Sequence, residues 1–244
     1  MNSDSYVIRK DRCPKCAEIG NDRSGDNLAI YSDGHTYCYR CGYHSGRKGF
    51  NKPTKQPEIF IALPQDVTSE LPYEALAWLH QYELSRLDIQ QHNVLWSSHW
   101  SRIIFPYFDD TGLIAWQGRY IGTDKTKAKW FSQGKIHEIL HPIKVNQRQA
   151  VLVEDIISAI KVSKTLGTIP IFGSSISNRQ LIRLKTIVDK VWFWLDPDMR
   201  SKSVKMANQA KLLGLDAKVI WSDKDPKEES YDSISNYLRE DQTT

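Results

Sequence analysis

No run of about 18 apolar residues occurs in this 244-residue chain, so no segment reads as a membrane-spanning helix. The opening residues, Met1 to Lys10, hold no apolar signal segment, and the protein is expected in a cytoplasm. Internal repeats and low-complexity tracts are missing, which removes repeat architectures from consideration. A Gly-x-x-x-x-Gly-Lys-Ser/Thr phosphate loop is missing too. The excess of positive over negative charge is small: a formal net charge of +4 does not by itself argue for nucleic acid, so its distribution must decide. Cysteine is scarcer still, with four residues, all in the first fifty. In a cytoplasm disulfides are rare, and closely spaced cysteine pairs more often bind metal.

What remains is an ordinary globular composition, 40% hydrophobic and 25% charged, with length for one large domain or two smaller ones. Residues 1–50 are rich in Gly, Asp, Asn and Ser. Residues 51–70 carry Pro53, Pro57 and Pro64 and read as a linker that docks near Ile59 to Leu63. Residues 71–148 mix short helices and strands. Glu74 to Tyr82 reads as a helix, and Ile103–Phe108 and Leu113–Trp116 as paired strands around an Asp109–Gly112 turn. Residues 149–244 alternate. Strands are expected at Val151–Val153, Ile169–Phe172, Val191–Leu195 and Ala217–Trp221, the second at a sheet edge because Pro170 lacks an N–H. Between them, Ile156–Leu166, the Leu181/Leu184/Val188 face and the Val204/Ala207/Ala210/Leu213 stripe, closed by Gly214, read as helices. The fold class is α/β (α+β overall), with a parallel sheet flanked by helices.

Cys13-Pro-Lys-Cys16 and Cys38-Tyr-Arg-Cys41 form two CxxC pairs with 21 residues between them. Two such knuckles complete a tetrahedral zinc shell with no open position, so the metal is structural. His35 and His44 are nearby but surplus to that shell. Between the pairs, Leu28–Tyr31 and Thr36–Tyr39 form a hairpin closed by Asp33-Gly34. Asp33, His35, Tyr37 and Tyr39 at its tip suit unpaired bases, and equally suit an ordinary turn. The stretch from Tyr31 to Cys41 resembles the zinc ribbon of bacteriophage-type, DnaG-like DNA primases. That resemblance implies that Asp33 and His35 help read a short template sequence.

Residues 119–135 place Arg119, Lys125, Lys127, Lys129 and Lys135 against one acid, Asp124, among Trp116, Tyr120, Trp130 and Phe131. Cations meet phosphate and aromatics stack on bases, although a solvated basic loop has the same composition. Arg102-Ile-Ile-Phe-Pro, Gly112, Gln117-Gly-Arg119 and Lys129-Trp-Phe-Ser together resemble the signature of primase catalytic domains. By that resemblance Arg102, Arg119 and Lys129 contact nucleotide and template, with Lys125 and Lys127 as weaker candidates.

Glu154 closes the first strand of the alternating region and Asp196 and Asp198 the third, while Asp225 follows the fourth. Ligands of parallel sheets bind at carboxyl strand ends, so these acids can converge, and oxygen donors suit magnesium or manganese. Strand-Glu, strand-Asp-x-Asp and Lys-Asp-Pro resemble the Toprim domain shared by primases and topoisomerases, which implies metal roles for Glu154, Asp196, Asp198 and Asp225. Asp155 departs from the family's glycine there, and Asp223 and Asp232 compete with Asp225. Gly173-Ser-Ser before a helix offers either a phosphate-binding turn or a simple cap.

The resemblance implies a DNA primase. It would use structural zinc and catalytic magnesium to join ribonucleotides on a single-stranded DNA template, with Glu154 also a general base. The ribbon would swing on the linker. A separate replicative helicase is the expected partner, and the acidic stretch after Asp223 either docks there or is solvated. A non-catalytic zinc/Toprim recombination mediator and a Toprim nuclease remain alternatives, and a topoisomerase fragment is the weakest.

Overall fold

The structure is a computed structural model and describes residues 7–22, 25–46 and 61–240. The chain falls into two compact units, Met1–Ile59 and Phe60–Thr244. The sequence-predicted linker between 51 and 60, with Ile59, lies outside the described residues.

The first unit is an antiparallel sheet with strand order β1-β2-β3-β4: β1 (Val7–Asp11), β2 (Leu28–Tyr31), β3 (Thr36–Cys38) and β4 (His44–Ser45). A short helix, α1 (Pro14–Glu18), starts at the first knuckle, where Pro14 supplies a preset φ at a position needing no N–H. The β2–β3 hairpin is the expected one. Gly34 at its turn has φ +85°, a conformation that a side chain disfavours. Apolar material is thin. The buried core is Cys13, Cys16, Leu28 and Cys38, with Tyr43 packed against it.

The second unit joins two sheets. An antiparallel sheet runs β5-β6-β7-β8-β9: β5 (Val67–Thr68), β6 (Leu95–Ser97), β7 (Arg102–Asp109), β8 (Gly112–Tyr120) and β9 (Trp130–Gly134). Helices α2 (Tyr73–His80) and α3 (Arg86–Gln91) lie between β5 and β6 in sequence. Residues 61–70 therefore begin this unit. Val67 pairs with Ser97, and the Trp116 indole N–H donates to the Ala62 carbonyl at 3.0 Å. That corrects the linker boundary drawn at 70 from proline content.

The second sheet is parallel, in the order β11-β10-β12-β13, from β10 (Gln149–Val153), β11 (Thr168–Pro170), β12 (Lys190–Phe193) and β13 (Asp216–Val219). Pro170 is on the edge strand, as its missing donor requires. Between and after the strands come α4 (Ile156–Val162), α5 (Asn178–Ile187), α6 (Arg200–Leu212) and α7 (Tyr231–Glu240). Strand period decides the packing. Val151, Val153, Trp192 and Trp194 share a core with Ile103, Phe105 and Tyr107 of the antiparallel sheet. Ala150, Leu152, Val191 and Phe193 face the other way, onto α5 and α6. One stripe needs correction. Ala207 and Ala210 are buried as expected and Leu213 packs against the same core, but Val204 is 38% exposed and Ser203 and Met206 complete the buried face. The acidic tail is a docked helix: α7 buries Ile234 and Leu238, and Tyr237 meets Trp194 edge-on. No helix among the described residues is long and apolar enough to cross a membrane.

Candidate functional site

In the first unit, all four cysteine sulfurs lie within 4.8 Å of one another. Cys13 and Cys41 Sγ are 3.6 Å apart, and Cys16 and Cys38 Sγ 3.7 Å. A tetrahedron with 2.3 Å zinc–sulfur bonds has edges of about 3.8 Å, so the spacing fits zinc. Burial opposes the Cys38 thiolate, but backbone N–H groups of Cys41 and Arg40 outweigh it and bring the thiol down to about 7. Asp22, unremarked in the sequence, is buried. Its carboxylate accepts the Cys13 N–H at 2.6 Å and the Gly25 N–H at 3.0 Å, fixing the first knuckle. His44 is exposed and bonds locally near Gly42 rather than joining the cysteines. His35 is also outside the shell. Its Nδ1 is 2.5 Å from Asp33 Oδ1, and its ring stacks on Tyr31 at 4.0 Å, which leaves an oriented imidazole on an exposed tip. Tyr37 and Tyr39 are exposed beside it.

In the second unit, the parallel direction of β10, β12 and β13 brings their carboxyl ends to one edge. A cavity of about 630 Å³ opens there. Glu154, Asp155, Asp196, Asp225 and Lys227 line its acidic side, and Arg119, Lys129, Trp78, Tyr82 and Trp130 are also in its wall. Glu154 and Asp196 meet directly, since the Asp196 N–H donates to Glu154 Oε1 at 3.3 Å. Burial raises the Glu154 carboxyl, and Asp198 and Asp155 add to the rise against that N–H. Asp196 is pushed up to about 7, first by burial, then by Glu154, Asp225 and Asp155, despite Lys227. Its Oδ1 is buried and finds no protein partner. An orphaned carboxylate oxygen beside a second half-buried acid is a donor set that fits a hard divalent cation.

Arg119 belongs to the same cavity. Its guanidinium lies 5.0 Å from the Trp78 ring centroid and 5.6 Å from that of Trp130, between two indoles. Burial lowers its pKa, with Tyr82 and Asp155 countering. Its Nε is buried without a partner, so a stacked cation is held with donor capacity unspent.

No protein-family model matches the chain, and no curated protein matches it in sequence. In structure it is similar to the zinc-binding and RNA polymerase domains of the Aquifex aeolicus primase, with TM-score 0.60 and 16% identity over 69% of this chain and 55% of that one. It is similar to the DnaG catalytic core, with TM-score 0.56 and 14% identity over 69% and 73%. The primase fragment of the bacteriophage T7 primase-helicase protein matches at TM-score 0.53 and 17% identity over 96% and 99%. This chain has the fold of the DnaG-type primases.

Within that primase fold the predicted residues separate. Glu154, Asp196, Asp225, Arg119 and Lys129 share the cavity wall. Asp198 stands just outside it, in the short 3-10 turn Pro197–Met199, close enough to act on Glu154. Among the described residues, only the cysteines form a group of metal-donor side chains drawn within 4.8 Å, so the acids share a rim without closing into a cage. Arg102 needs correction as a phosphate contact. It is 6% exposed, and its guanidinium donates to the carbonyls of Gly118, Ala128 and Lys129. Lys125 and Lys127 are exposed on the loop before β9, with Lys127 over the Tyr120 ring. Asp223 pairs with Arg200 at 2.6 Å and Asp232 sits on α7, which leaves Asp225 as the aspartate at the cavity. Gly173 lines the cavity, but the cap of α5 is Ser177, in a reciprocal box with Gln180. Sequence reading missed Trp78, Tyr82, His137 and Lys227. Lys227 directly follows the Lys224-Asp225-Pro226 motif, and the aromatic pair carried only a helix-face signal.

Proposed function

We propose that this protein is a DNA primase, a magnesium-dependent nucleotidyltransferase that joins ribonucleotides on a single-stranded DNA template. The observation that carries the reading is an orphaned acidic pair, Glu154 and Asp196, sharing one cavity with a stacked, unspent guanidinium, Arg119, in a chain with the primase fold. A triphosphate needs both: carboxylates to hold its metal and a cation to hold its phosphates.

Glu154, Asp196 and Asp198 would hold magnesium, with manganese an acceptable substitute; when bound, the metal supplies charge stabilisation at the reacting phosphate and the departing pyrophosphate. Arg119 and Lys129 bind the triphosphate oxygens and orient them. Trp78 and Trp130 keep the Arg119 plane fixed, and Tyr82 adds an aromatic wall. Glu154, with its carboxyl above the usual range, accepts the 3′-hydroxyl proton. In the zinc ribbon, Asp33 orients His35 toward template bases, with Tyr37 and Tyr39 as stacking surfaces. A helicase is the working partner, since the bacteriophage T7 neighbour is a fragment of a primase-helicase protein. The reading is of a phage-type enzyme acting in a host cytoplasm.

Gel analysis of single-stranded DNA incubated with magnesium, with and without ribonucleoside triphosphates, tests this. A primase yields short RNA only when triphosphates are present, and Asp196→Ala abolishes it. Cleaved DNA without triphosphates identifies a Toprim nuclease. Bound but unaltered DNA identifies a recombination mediator.

A further inference from the structure

Lys227 brings an ammonium into the acidic rim. Its Nζ lies 2.7 Å from Asp225 Oδ2 and 3.1 Å from Asp155 Oδ2, and its side chain is only 15% exposed. Asp155 is committed at both oxygens, because its Oδ1 accepts the Ser158 N–H at 2.8 Å and caps α4. The backbone of Lys227 is anchored as well. Its carbonyl accepts from Lys161 Nζ at 3.0 Å, and Lys161 is itself buried and paired with Glu83 at 3.2 Å. Lys227 therefore stands on a fixed arm. The rim acids divide accordingly. Asp155 and Asp225 are paired with the chain's own ammonium, whereas Asp196 Oδ1, in the same cavity, has no hydrogen-bond partner.

We infer that Lys227 is a built-in counter-cation that fills one of two cation positions on this rim, leaving a single exchangeable divalent-cation site at Glu154 and Asp196. Sites with two metals about 3.5–4 Å apart neutralise two sets of carboxylates with two exchangeable ions. A lysine ammonium is a compact point charge with three donors, able to satisfy one set permanently. Half-buried carboxylates that lost it would be left uncompensated, and a second cation would be drawn in. Asp225, read from the sequence as a magnesium ligand, becomes the partner of Lys227, and Asp155 the residue that positions it.

The inference rests on the reading that Glu154 and Asp196 hold a divalent cation, and metal counting separates the two. The zinc-loaded full chain, without nucleotide, is titrated with Mn²⁺, and free ion is followed by electron paramagnetic resonance. Wild type and Lys227→Arg are expected to bind one Mn²⁺ per chain, Lys227→Gln two, and Asp196→Asn none. Two ions in wild type or one in Lys227→Gln overturns the counter-cation role and leaves the metal reading standing, whereas one remaining in Asp196→Asn overturns the reading that Asp196 holds the ion, and the inference with it. No ion in wild type overturns both. If circular dichroism shows Lys227→Gln unfolded, Lys227→Met is counted in its place, with two ions expected and one overturning the role.

Discussion

Asp196 concentrates the electrostatics of the site in one side chain. Its carboxyl titrates near 7 in the fold against an ordinary value of 3.8. Between those values the folded chain binds a proton that the unfolded chain has released, so this group's contribution to stability falls as pH rises from about 4 to about 7. In magnesium-free buffer, Asp196→Asn should therefore be more stable than wild type at pH 8, by on the order of 1–2 kcal/mol after discounting for solvent screening. That advantage should vanish below pH 4. Urea melts at several pH values would show it, and a pH-independent difference would refute it. Arg119 makes a second claim. A lysine cannot stack between Trp78 and Trp130 or present a planar fork. Arg119→Lys should raise the KM for ribonucleotides roughly tenfold or more, a cost of about 1.4 kcal/mol or above, in steady-state primer synthesis. These roles were partly legible, because Glu154, Asp196 and Asp225 follow predicted strands whose carboxyl ends must meet. Arg102 was not. A basic residue in a signature looks the same whether it meets phosphate or three carbonyls. The visible hint was Gly118, where an added Cβ would lie 2.9 Å from Arg102 Cδ.

The elements that carry the site were read well where their periodicity was strong. The strands β10 and β12 are apolar on both faces, and β7–β8 flank a turn with Asp and Gly. Short or amphipathic-poor elements escaped. The exposed Val-Ile-Arg-Lys-Asp of β1 reads as a polar tail, and β9 lay hidden within a basic stretch whose aromatics suggested only nucleic-acid contact. Helix α3 is six residues long, too short for a periodic signal, although Ser85 and Asp88 form a capping box. The α6 stripe held at Ala207 and Ala210 and failed at Val204, because the buried face takes in Ser203, which no hydrophobic count selects. The cap of α5 provides a test at this scale. Ser177 accepts the Gln180 N–H at 3.2 Å, and Gln180 reaches back to the Ser177 N–H at 3.0 Å. Ser177→Ala should cost about 1 kcal/mol, read from the shift in urea midpoint at unchanged slope. An unchanged midpoint would mean that the box does not hold the helix.

At the scale of the whole molecule, the two units depend on different forces. Among the described residues the core of the first unit is three buried cysteines and Leu28, and a core that small is of the kind that zinc on the four cysteines would stabilise. The second unit is built on broad apolar cores on both faces of its parallel sheet. Removing zinc should unprotect the amides of residues 7–46 in hydrogen exchange and leave those of 61–240 protected; loss of protection in both would contradict that division. The central claim is that the acidic rim and Arg119 together make a template-directed RNA-synthesising site. Mass spectrometry of products from a single-stranded DNA template, magnesium and the four ribonucleoside triphosphates tests it most directly. Wild type should yield short RNA complementary to the template and bearing a 5′-triphosphate, and Asp196→Asn should yield none. No such product from folded, zinc-loaded wild type, or an undiminished product from Asp196→Asn, would contradict an RNA-synthesising role for this site.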